Sequence, residues 1–282
     1  MDLTQKQPDF IQSNLPQPDY QTIEDMVRSA GKMMLRARLA GSSVHQKQGF
    51  ANFYTDYDVA IQQFLIDGFR GILHDAAFYG EEDTEGNQGA SAHGKYTFYI
   101  DPIDGTTNFM FGYHHSCVSV GLACENQIVA GFVYNPYVEE MYTGIRGQGS
   151  CLNGRKLQMV NNALKQGIVA FGCARYNESD TDIVFDVAKR LYLNSLSIRN
   201  GGSAALDLCR IASGNNVAYV ELKLQPYDYA AASVIVEEAG GRISKADGSA
   251  ITLQSPCSIV CGTNTAWEET RRIVAAAGFT GG

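Results

Sequence analysis

The sequence predicts a layered protein of mixed helices and strands, of the α+β or α/β class. Two helices with apolar positions at helical spacing open the chain, a run of consecutive short strands follows, and strands then alternate with helices. With 282 residues the chain is long enough for one large domain or for two closely packed lobes with a buried core.

The first quarter of the chain predicts two helices. Residues 1–18 are polar and are expected to form a loose arm, and a helix is predicted over about 19–39 from its apolar periodicity. The polar, glycine-containing segment 40–52 predicts a loop. A second helix is predicted from Thr55, because Thr55 and Asp58 resemble a capping arrangement at a helix start.

Short strands follow, and their succession predicts an antiparallel sheet. A hairpin is expected near Asn126 and Gln127, and Asn153-Gly154 is a stronger turn signal. The predicted strands cover residues 77–79, 97–100, 118–123, 128–134 and 140–143.

Strands and helices alternate from about residue 167 onward. Strands are predicted at 168–171, 217–221 and 259–261, and helices at 182–192, 203–212, 228–239 and 265–276. The sequence has no internal repeat and no evident linker, so residues 19–282 are expected to form a single two-lobed domain. Its antiparallel-sheet lobe would extend to about residue 160, and its alternating lobe would begin at about residue 165.

Composition excludes several classes of protein. The net charge of −8 argues against a nucleic-acid binder with a broad basic surface. The polar residues 1–18 do not resemble a signal peptide, and the sequence lacks an apolar run long enough to span a membrane. The seven cysteines form no CxxC pair and are interpreted as reduced, buried thiols, so a cytoplasmic location is expected.

The most informative motif is D-P-I-D-G-T-T-N-F, residues 101–109. A predicted strand brings Asp101 to its end, Asp104 follows, Gly105 permits an unusual turn, and Thr106 is a good helix starter. Two carboxylates followed by free N–H groups suit divalent cations and a phosphate group. Taken alone, the motif is equally compatible with an acidic turn that only caps a helix.

Two further acidic residues lie at junctions between elements. Glu81 follows a predicted strand, and Asp228 lies where a loop becomes an alanine-rich helix. Alone, each is better explained as a solvated loop residue or a helix cap. Together with Asp101 and Asp104 they predict a site of hard oxygen ligands, which Mg²⁺ prefers. The histidines lack the spacing of a zinc site and are interpreted as structural or surface residues; they are His45, His74, His93, His114 and His115.

These three segments resemble the inositol monophosphatase family, within the lithium-sensitive, Mg²⁺-dependent phosphatases. The resemblance covers about residues 19–276 and includes Lys47 and the segments 52–58, 131–136, 147–154 and 238–241. It implies an α+β fold of the sugar-phosphatase type, a layered αβαβα sandwich with mixed and antiparallel sheets. It also implies hydrolysis of a small phosphate monoester by a metal-activated water, lithium sensitivity and a homodimer.

The resemblance also implies the roles of individual residues. Two or three Mg²⁺ ions would be held by Glu81, Asp101, the carbonyl of Ile103, Asp104 and Asp228. The catalytic residues would be Glu81, Thr106, which orients the attacking water, and Asp58, hydrogen-bonded behind Thr106.

Substrate contacts follow from the same resemblance. The N–H groups of Gly105 and Thr106 would bind the phosphate, and Glu221 would accept a hydrogen bond from a substrate hydroxyl. Asp104 and Asp228 would also face the substrate. The leaving-group pocket would be lined by Gly202, Ser203 and Ala204.

Three positions depart from the family pattern. Asn52 stands where an Asp is common in the mobile loop, and Tyr227 stands where a Trp is more usual. Residues 111–115 replace a commoner basic or proline-containing segment and bear on substrate preference or on subunit contact.

Alternatives remain open at this point. A related substrate is compatible with the motifs, such as fructose 1,6-bisphosphate, histidinol phosphate, a dinucleotide 2′-phosphate or 3′-phosphoadenosine 5′-phosphate. A regulatory protein that keeps the fold but acts through partners is the alternative of another class. An aspartyl-phosphate mechanism is disfavoured, because its D-x-D spacing differs from the D-x-x-D of Asp101 and Asp104. We expect Asp104→Asn to lower turnover by orders of magnitude while the fold survives, on the premise that Asp104 is a surface carboxylate.

Overall fold

The computed structural model describes residues 18–40, 44–47, 53–89, 92–173 and 180–279, without the side chains of residues 38–40. Residues 1–17 of the predicted arm, most of the predicted loop and Asn52 therefore lie outside the described residues. Helix α1 (Tyr20–Ala40) lies within one residue of its predicted bounds, and α2 (Asp56–Ile72) begins one residue after the predicted start at Thr55. Between them, β1 (Val44–Gln46) pairs antiparallel with β2 (Phe53–Thr55), a pair that the sequence analysis missed.

The first large sheet has seven strands in sequential order. The five predicted strands are confirmed, and neighbours are antiparallel except for β3 and β4, which run parallel. The predicted hairpin turn joins β5 to β6 through Glu125 and Asn126, both with positive φ. The strands are β3 (Ala77–Gly80), β4 (Tyr96–Asp104), β5 (Cys117–Cys124), β6 (Gln127–Asn135), β7 (Glu140–Ile145), β8 (Gly149–Leu152) and β9 (Arg155–Lys156).

The second sheet has five strands in the order β11-β10-β12-β14-β13 and is mixed. Strand β10 is parallel to both of its neighbours, whereas β14 is antiparallel to β12 and β13. Its strands are β10 (Ile168–Phe171), β11 (Ser197–Arg199), β12 (Ala218–Leu224), β13 (Arg242–Ser244) and β14 (Cys257–Gly262). The remaining helices are α3 (Thr106–Phe111), α4 (Thr181–Asn194), α5 (Ala204–Ala212), α6 (Pro226–Glu238) and α7 (Asn264–Ala276).

Three hydrophobic cores separate the layers. Helices α1 and α2 cover one face of the first sheet, where Phe69 stacks on Phe98 at 4.3 Å. Helices α5 and α6 lie between the two sheets, and α4 and α7 cover the outer face of the second sheet. The order helix, sheet, helix, sheet, helix confirms the predicted α+β sandwich. Among the described residues, no helix is both long enough and apolar enough to cross a bilayer.

Helix α6 fits between the sheets because its residues are small and the first sheet offers glycines beneath it. A Cβ added at Gly131 would lie 2.1 Å from the carbonyl oxygen of Ala231, and one at Gly121 would lie 2.9 Å from the Ala230 Cβ. Any larger residue at Gly131 would push the helix away from the sheet. This close packing fixes the first turn of α6, which carries Asp228, over the first sheet.

None of the seven cysteines, all of which the structure describes, forms a disulfide, and five of them are buried. This agrees with their interpretation as reduced, buried thiols. Cys151 and Cys173 are partly exposed, so the interpretation holds for the majority rather than for every cysteine.

Candidate active site

Asp101 and Asp104 lie within β4 rather than after it, because the strand continues through a bulge to Asp104. Asp101 lies opposite Ser119 and Asp104 opposite Cys117, so three steps along β4 match two along β5. Since residues two apart on a strand share a face, the bulge places both carboxylates on the same face of the sheet. Pro102 has no N–H to donate and is tolerated within the bulge.

A left-handed glycine connects this strand to α3. Gly105 has φ 88° and ψ 45°. A Cβ at this position would lie 2.9 Å from the Gly202 carbonyl oxygen and 3.0 Å from that of His115. Only glycine fits both the conformation and the space. The helix then begins at Thr106, as predicted, and Thr106 Oγ1 donates to the carbonyl of Ile103 at 3.1 Å.

The carboxylate of Asp104 is tied to the beginning of α5. Oδ2 accepts hydrogen bonds from Ser203 Oγ at 2.6 Å and from the Ala205 N–H at 2.7 Å, and Oδ1 accepts one from the Ala204 N–H at 3.3 Å. The expectation of a surface carboxylate was wrong, since Asp104 is only 7% exposed. Burial raises the pKa of Asp104 to about 6, although the hydrogen bonds from Ser203 and Ala205 lower it. The structure thus brings the predicted pocket residues 202–204 against Asp104 and Gly105.

Asp228 is the third residue of α6, which begins two residues earlier than predicted. Its Oδ2 accepts a hydrogen bond from the Gln225 N–H at 2.7 Å, and this contact fixes the carboxylate at the helix start. Burial raises the pKa of Asp228 well above its usual value, and the charges of Asp104 and Glu81 raise it further. The neighbouring Tyr227 packs edge-on against Tyr79.

Glu81 follows β3 and is joined by a second glutamate, Glu82, that the sequence analysis did not single out. Lys47 Nζ lies 2.9 Å from Glu81 Oε1 and 2.6 Å from Glu82 Oε1. Burial alone would lower the pKa of Lys47, but the two glutamates outweigh it and raise that pKa. Gln62 holds the backbone of Glu82 by two hydrogen bonds, and burial raises the pKa of Glu82 to about 7. The E-E dipeptide was visible in the sequence, but nothing in it indicated that Glu82 is buried.

The four predicted carboxylates share one electrostatic field. Burial, followed by the charges of Glu81, Asp104 and Asp228, raises the pKa of Asp101 well above its usual value. In the described ranges, no three acidic, histidine or cysteine side chains already stand in the geometry of a complete metal site. The four carboxylates are therefore close enough to affect one another's pKa values, although their oxygens do not stand in metal-coordinating geometry in the described ranges.

The donor set fits a hard cation. One oxygen of each of Glu81, Asp101 and Asp228 is held by the protein, through Lys47 Nζ, the Ile103 N–H and the Gln225 N–H. Within the described part of the chain, the second oxygen of each carboxylate has no hydrogen bond. Like charges that are partly or fully buried require a counter-charge, and oxygen-only donors are those that Mg²⁺ prefers.

Asp58 lies beside this group, but not in the predicted contact. Its Oδ2 accepts hydrogen bonds from the N–H and the Oγ1 of Thr55, at 2.7 and 2.5 Å, which confirms the predicted capping box of α2. The expected hydrogen bond to Thr106 is absent from the described structure, since Thr106 Oγ1 donates to Ile103 instead. Among the described residues, Oδ1 of Asp58 is buried without a hydrogen-bond partner, and burial raises the pKa of Asp58 to about 6.

Two further groups lie near α5: Glu221, and a contact between His115 and Asp207 that was not predicted. Glu221 is buried on β12, accepts a hydrogen bond from the hydroxyl of Tyr219, and adds to the charge that raises the pKa of Asp228. His115 Nε2 lies 3.3 Å from Oδ1 of the buried Asp207, which follows the predicted pocket residues by three positions. No spacing signal links His115 to Asp207, because 92 residues separate them.

The segment 111–115 is exposed next to this pair. Phe111 and Tyr113 are 80% and 70% exposed, whereas His114 adopts a φ of 60° and stacks on Tyr137 at 4.7 Å. His45 pairs with Asp56 and His74 with Asp75, and both pairs are partly or fully exposed. The interpretation of these histidines as structural or surface residues agrees with the structure.

Comparison with known proteins places the chain among phosphatases. The model of the inositol monophosphatase family matches residues 16–279. Inositol monophosphatase 1 of Xenopus laevis is 35% identical over 241 residues, 83% of this chain and 84% of that protein. Nus factor SuhB of Pseudomonas aeruginosa is 34% identical over 227 residues, 79% of this chain and 83% of that protein.

Solved structures agree with these relatives. The structure of the extragenic suppressor protein SuhB from Bartonella henselae superimposes with a TM-score of 0.83 at 26% identity, covering 90% of this chain and 97% of that one. The chain belongs to the inositol monophosphatase family and is a phosphatase that acts on phosphoric monoesters.

Proposed function

We propose that this protein hydrolyses a small polyol or sugar phosphate, with inositol monophosphate as the foremost candidate, and that it requires Mg²⁺. The observation that carries the proposal is the shared field of Glu81, Asp101, Asp104 and Asp228 beside the Gly105 turn. A dianionic ester would be repelled by this field, so cations must reverse it before the substrate can bind.

Two or three Mg²⁺ ions would be held by Glu81, Asp101, the carbonyl of Ile103, Asp104 and Asp228. The Ile103 carbonyl already accepts a hydrogen bond from Thr106, but a carbonyl oxygen has a second lone pair for a cation. When bound, the ions supply a water of lowered pKa and neutralise charge on the phosphoryl oxygens.

The protein's own groups position the reactants. The N–H groups of Gly105 and Thr106 donate to the phosphate, and the left-handed turn at Gly105 aims them. Thr106 Oγ1 and the Glu81 carboxylate orient the attacking water. The buried Oδ1 of Asp58 has no partner among the described residues and is available to accept a proton or a hydrogen bond behind the water. Positioning and fixed charge therefore supply the catalysis, and no covalent intermediate is required.

The leaving group would lie between Glu221 and the beginning of α5. Glu221 accepts a hydrogen bond from a substrate hydroxyl, and residues 202–204 form the opposite wall with Asp104 and Asp228. An alcohol that carries several hydroxyl groups matches these acceptors. Fructose 1,6-bisphosphate, histidinol phosphate and dinucleotide 2′-phosphates are the alternative substrates of the same site.

The test is phosphate release from a panel of these esters, measured with MgCl₂ and after removal of metal by a chelator. We expect Mg²⁺-dependent release, fastest with an inositol or related polyol monophosphate. Failure to release phosphate from any ester with Mg²⁺ present would contradict the proposal.

A regulatory role is a second candidate, favoured by the similarity to the relative named Nus factor SuhB. Asp101→Asn separates the two roles, because it should abolish hydrolysis and leave outer surfaces intact. If this variant restores normal growth to a strain that lacks the protein, the cellular role depends on partners; if it does not, hydrolysis is the essential role.

We further propose a cytoplasmic homodimer. Cysteines that form no disulfide in the described structure are compatible with a reducing compartment. Light scattering during size exclusion should give twice the chain mass of 30.7 kDa, and a value equal to one chain would exclude the dimer.

A further inference from the structure

Three buried side-chain polar atoms lack a hydrogen-bond partner within the described residues: Asp58 Oδ1, Ser119 Oγ and Ser150 Oγ. Burying a hydroxyl without a partner is unfavourable, so each such atom calls for an explanation. Ser119 and Ser150 are both fully buried serines of the first sheet, but only Ser119 lies beside a proposed metal ligand.

Ser119 lies directly opposite Asp101 in the antiparallel pair of β5 and β4. Opposed residues of such a pair point to the same face, with Cβ atoms about 4.5–5.5 Å apart. Both side chains are buried, at 0% exposure for Ser119 and 3% for Asp101. Rotation of the serine about χ1 can therefore bring its hydroxyl to the carboxylate.

Within the sheet, the other neighbours of Ser119 offer no competing side-chain oxygen. On its second side it faces Val133 of β6, which is apolar. Along its own strand, the residues on the same face are Cys117 and Gly121. Cys117 Sγ already contacts Asp104 Oδ2 and Ser203 Oγ, each at 3.8 Å. Asp101 is thus the polar partner that the register provides.

The Asp101 carboxylate is oriented by a single hydrogen bond in the described structure. Its Oδ1 accepts one hydrogen bond, from the Ile103 N–H at 3.1 Å. Asp104, in contrast, is held by three donors of α5 and its cap. A carboxylate with one anchored oxygen can still turn about its Cβ–Cγ bond, and hydrogen bonds from neighbouring groups are what orient metal ligands in proteins.

We propose that Ser119 is a positioning residue, whose hydroxyl donates to the Asp101 carboxylate when that carboxylate binds a cation. The inference rests on the proposed function, in which Asp101 is a metal ligand. In this arrangement the Asp101 carboxylate would accept the hydrogen bond of the buried Ser119 hydroxyl, which has no partner among the described residues.

The test compares Ser119→Ala with the parent and with Ser150→Ala as matched control. Ser150 lies on β8, three strands from β5, which is about 14 Å at the usual strand spacing. Mg²⁺ affinity is measured by titration calorimetry on chelator-treated protein, and Tm is measured without metal.

We expect Ser119→Ala to weaken Mg²⁺ binding at least tenfold, the effect typical of losing an outer partner of a ligand. Its metal-free Tm should rise by about 2 °C or more, because an unpaired buried hydroxyl is removed. Ser150→Ala should raise the metal-free Tm similarly and leave the Mg²⁺ affinity unchanged.

Unchanged Mg²⁺ affinity in Ser119→Ala would overturn the inference while leaving the proposed function intact. An equal loss of affinity in Ser150→Ala would also overturn it, since the effect would then belong to sheet packing. A parent protein that binds no Mg²⁺ would instead contradict the proposed function, on which the inference rests.

Discussion

Ser203 Oγ donates a 2.6 Å hydrogen bond to Asp104 Oδ2, and so joins residues 99 positions apart in the sequence. Asp104 ends β4 of the first sheet, and Ser203 caps α5 of the layer between the sheets. The same carboxylate is thus a proposed metal ligand and the acceptor for the first N–H groups of a helix. The proposed catalytic role and the stability of the fold are therefore coupled at Asp104.

Replacing Asp104 by Asn should impair both properties. Loss of the charge should lower the rate of phosphate release at least a hundredfold, because a cation ligand and an orienting group are removed together. Weaker acceptance of the hydrogen bonds from α5 should lower the free energy of unfolding by about 1–3 kcal/mol.

Ser203→Ala is the matched control for Asp104→Asn. It removes the cap hydroxyl and keeps the carboxylate, so it should cost about 0.5–2 kcal/mol and retain much more activity than Asp104→Asn. Phosphate release and thermal unfolding check both variants. Parental activity in Asp104→Asn would exclude Asp104 as a ligand.

The effect of Mg²⁺ on stability should depend on pH. Burial raises the pKa of Asp58 and of Asp104 from 3.8 to about 6. Between about pH 4 and pH 6 the metal-free folded protein therefore holds more protons than the unfolded chain, so these two groups favour folding at low pH and lose that contribution as pH rises.

Mg²⁺ binds ionised carboxylates, so at low pH it must displace the proton of its proposed ligand Asp104. We therefore expect 5 mM MgCl₂ to raise Tm more at pH 8 than at pH 5, as measured by thermal unfolding in each buffer. The control sample contains Na₂SO₄ at the same ionic strength in place of MgCl₂. An equal or larger shift at pH 5 would contradict the expectation.

Glu221→Gln tests the leaving-group pocket. Loss of a charged acceptor for a substrate hydroxyl should raise KM for an inositol monophosphate about tenfold or more. An aryl phosphate without hydroxyl groups is the internal control, and its kcat/KM should change little. Equal effects on both esters would show that Glu221 acts through the fold or the metals rather than through the leaving group.

Lithium sensitivity is expected from the family. Li⁺ is a hard cation that competes for oxygen ligands, so LiCl should inhibit Mg²⁺-dependent phosphate release. The measurement is a LiCl titration at fixed MgCl₂, with NaCl at the same ionic strength as control. Equal rates in both salts would count against a family-type metal site.

Much of this architecture was predictable because its elements have strong local signals. The capping box at Thr55 and Asp58, the hairpin turn at Asn126 and the helix start at Thr106 depend on residues a few positions apart. The carboxylates of the site could be proposed because Glu81 follows a strand, Asp101 and Asp104 share one motif, and Asp228 lies at a helix start, and because these segments together resemble one family. These features are made by residues close together in the sequence, so they do not depend on how distant segments pack.

What the sequence could not predict depends on contacts between distant segments. The bulge that puts Asp101 and Asp104 on one face is a matter of register with β5. The burial of Asp104 follows from the docking of α5 and its cap Ser203, which has no signal in the segment around Asp104. The hydrogen bond expected between Asp58 and Thr106 is absent among the described residues, because Thr106 Oγ1 donates to the nearby carbonyl of Ile103 instead.

The most direct test of the central claim is anomalous diffraction from crystals soaked in MnCl₂, with Mn²⁺ standing in for Mg²⁺. We expect at least one strong anomalous peak within about 2.0–2.4 Å of oxygens of Asp101, Asp104, Asp228 or Glu81, bridging at least two of these residues. The absence of a peak among these carboxylates, in crystals that bind Mn²⁺ elsewhere, would contradict a shared metal site.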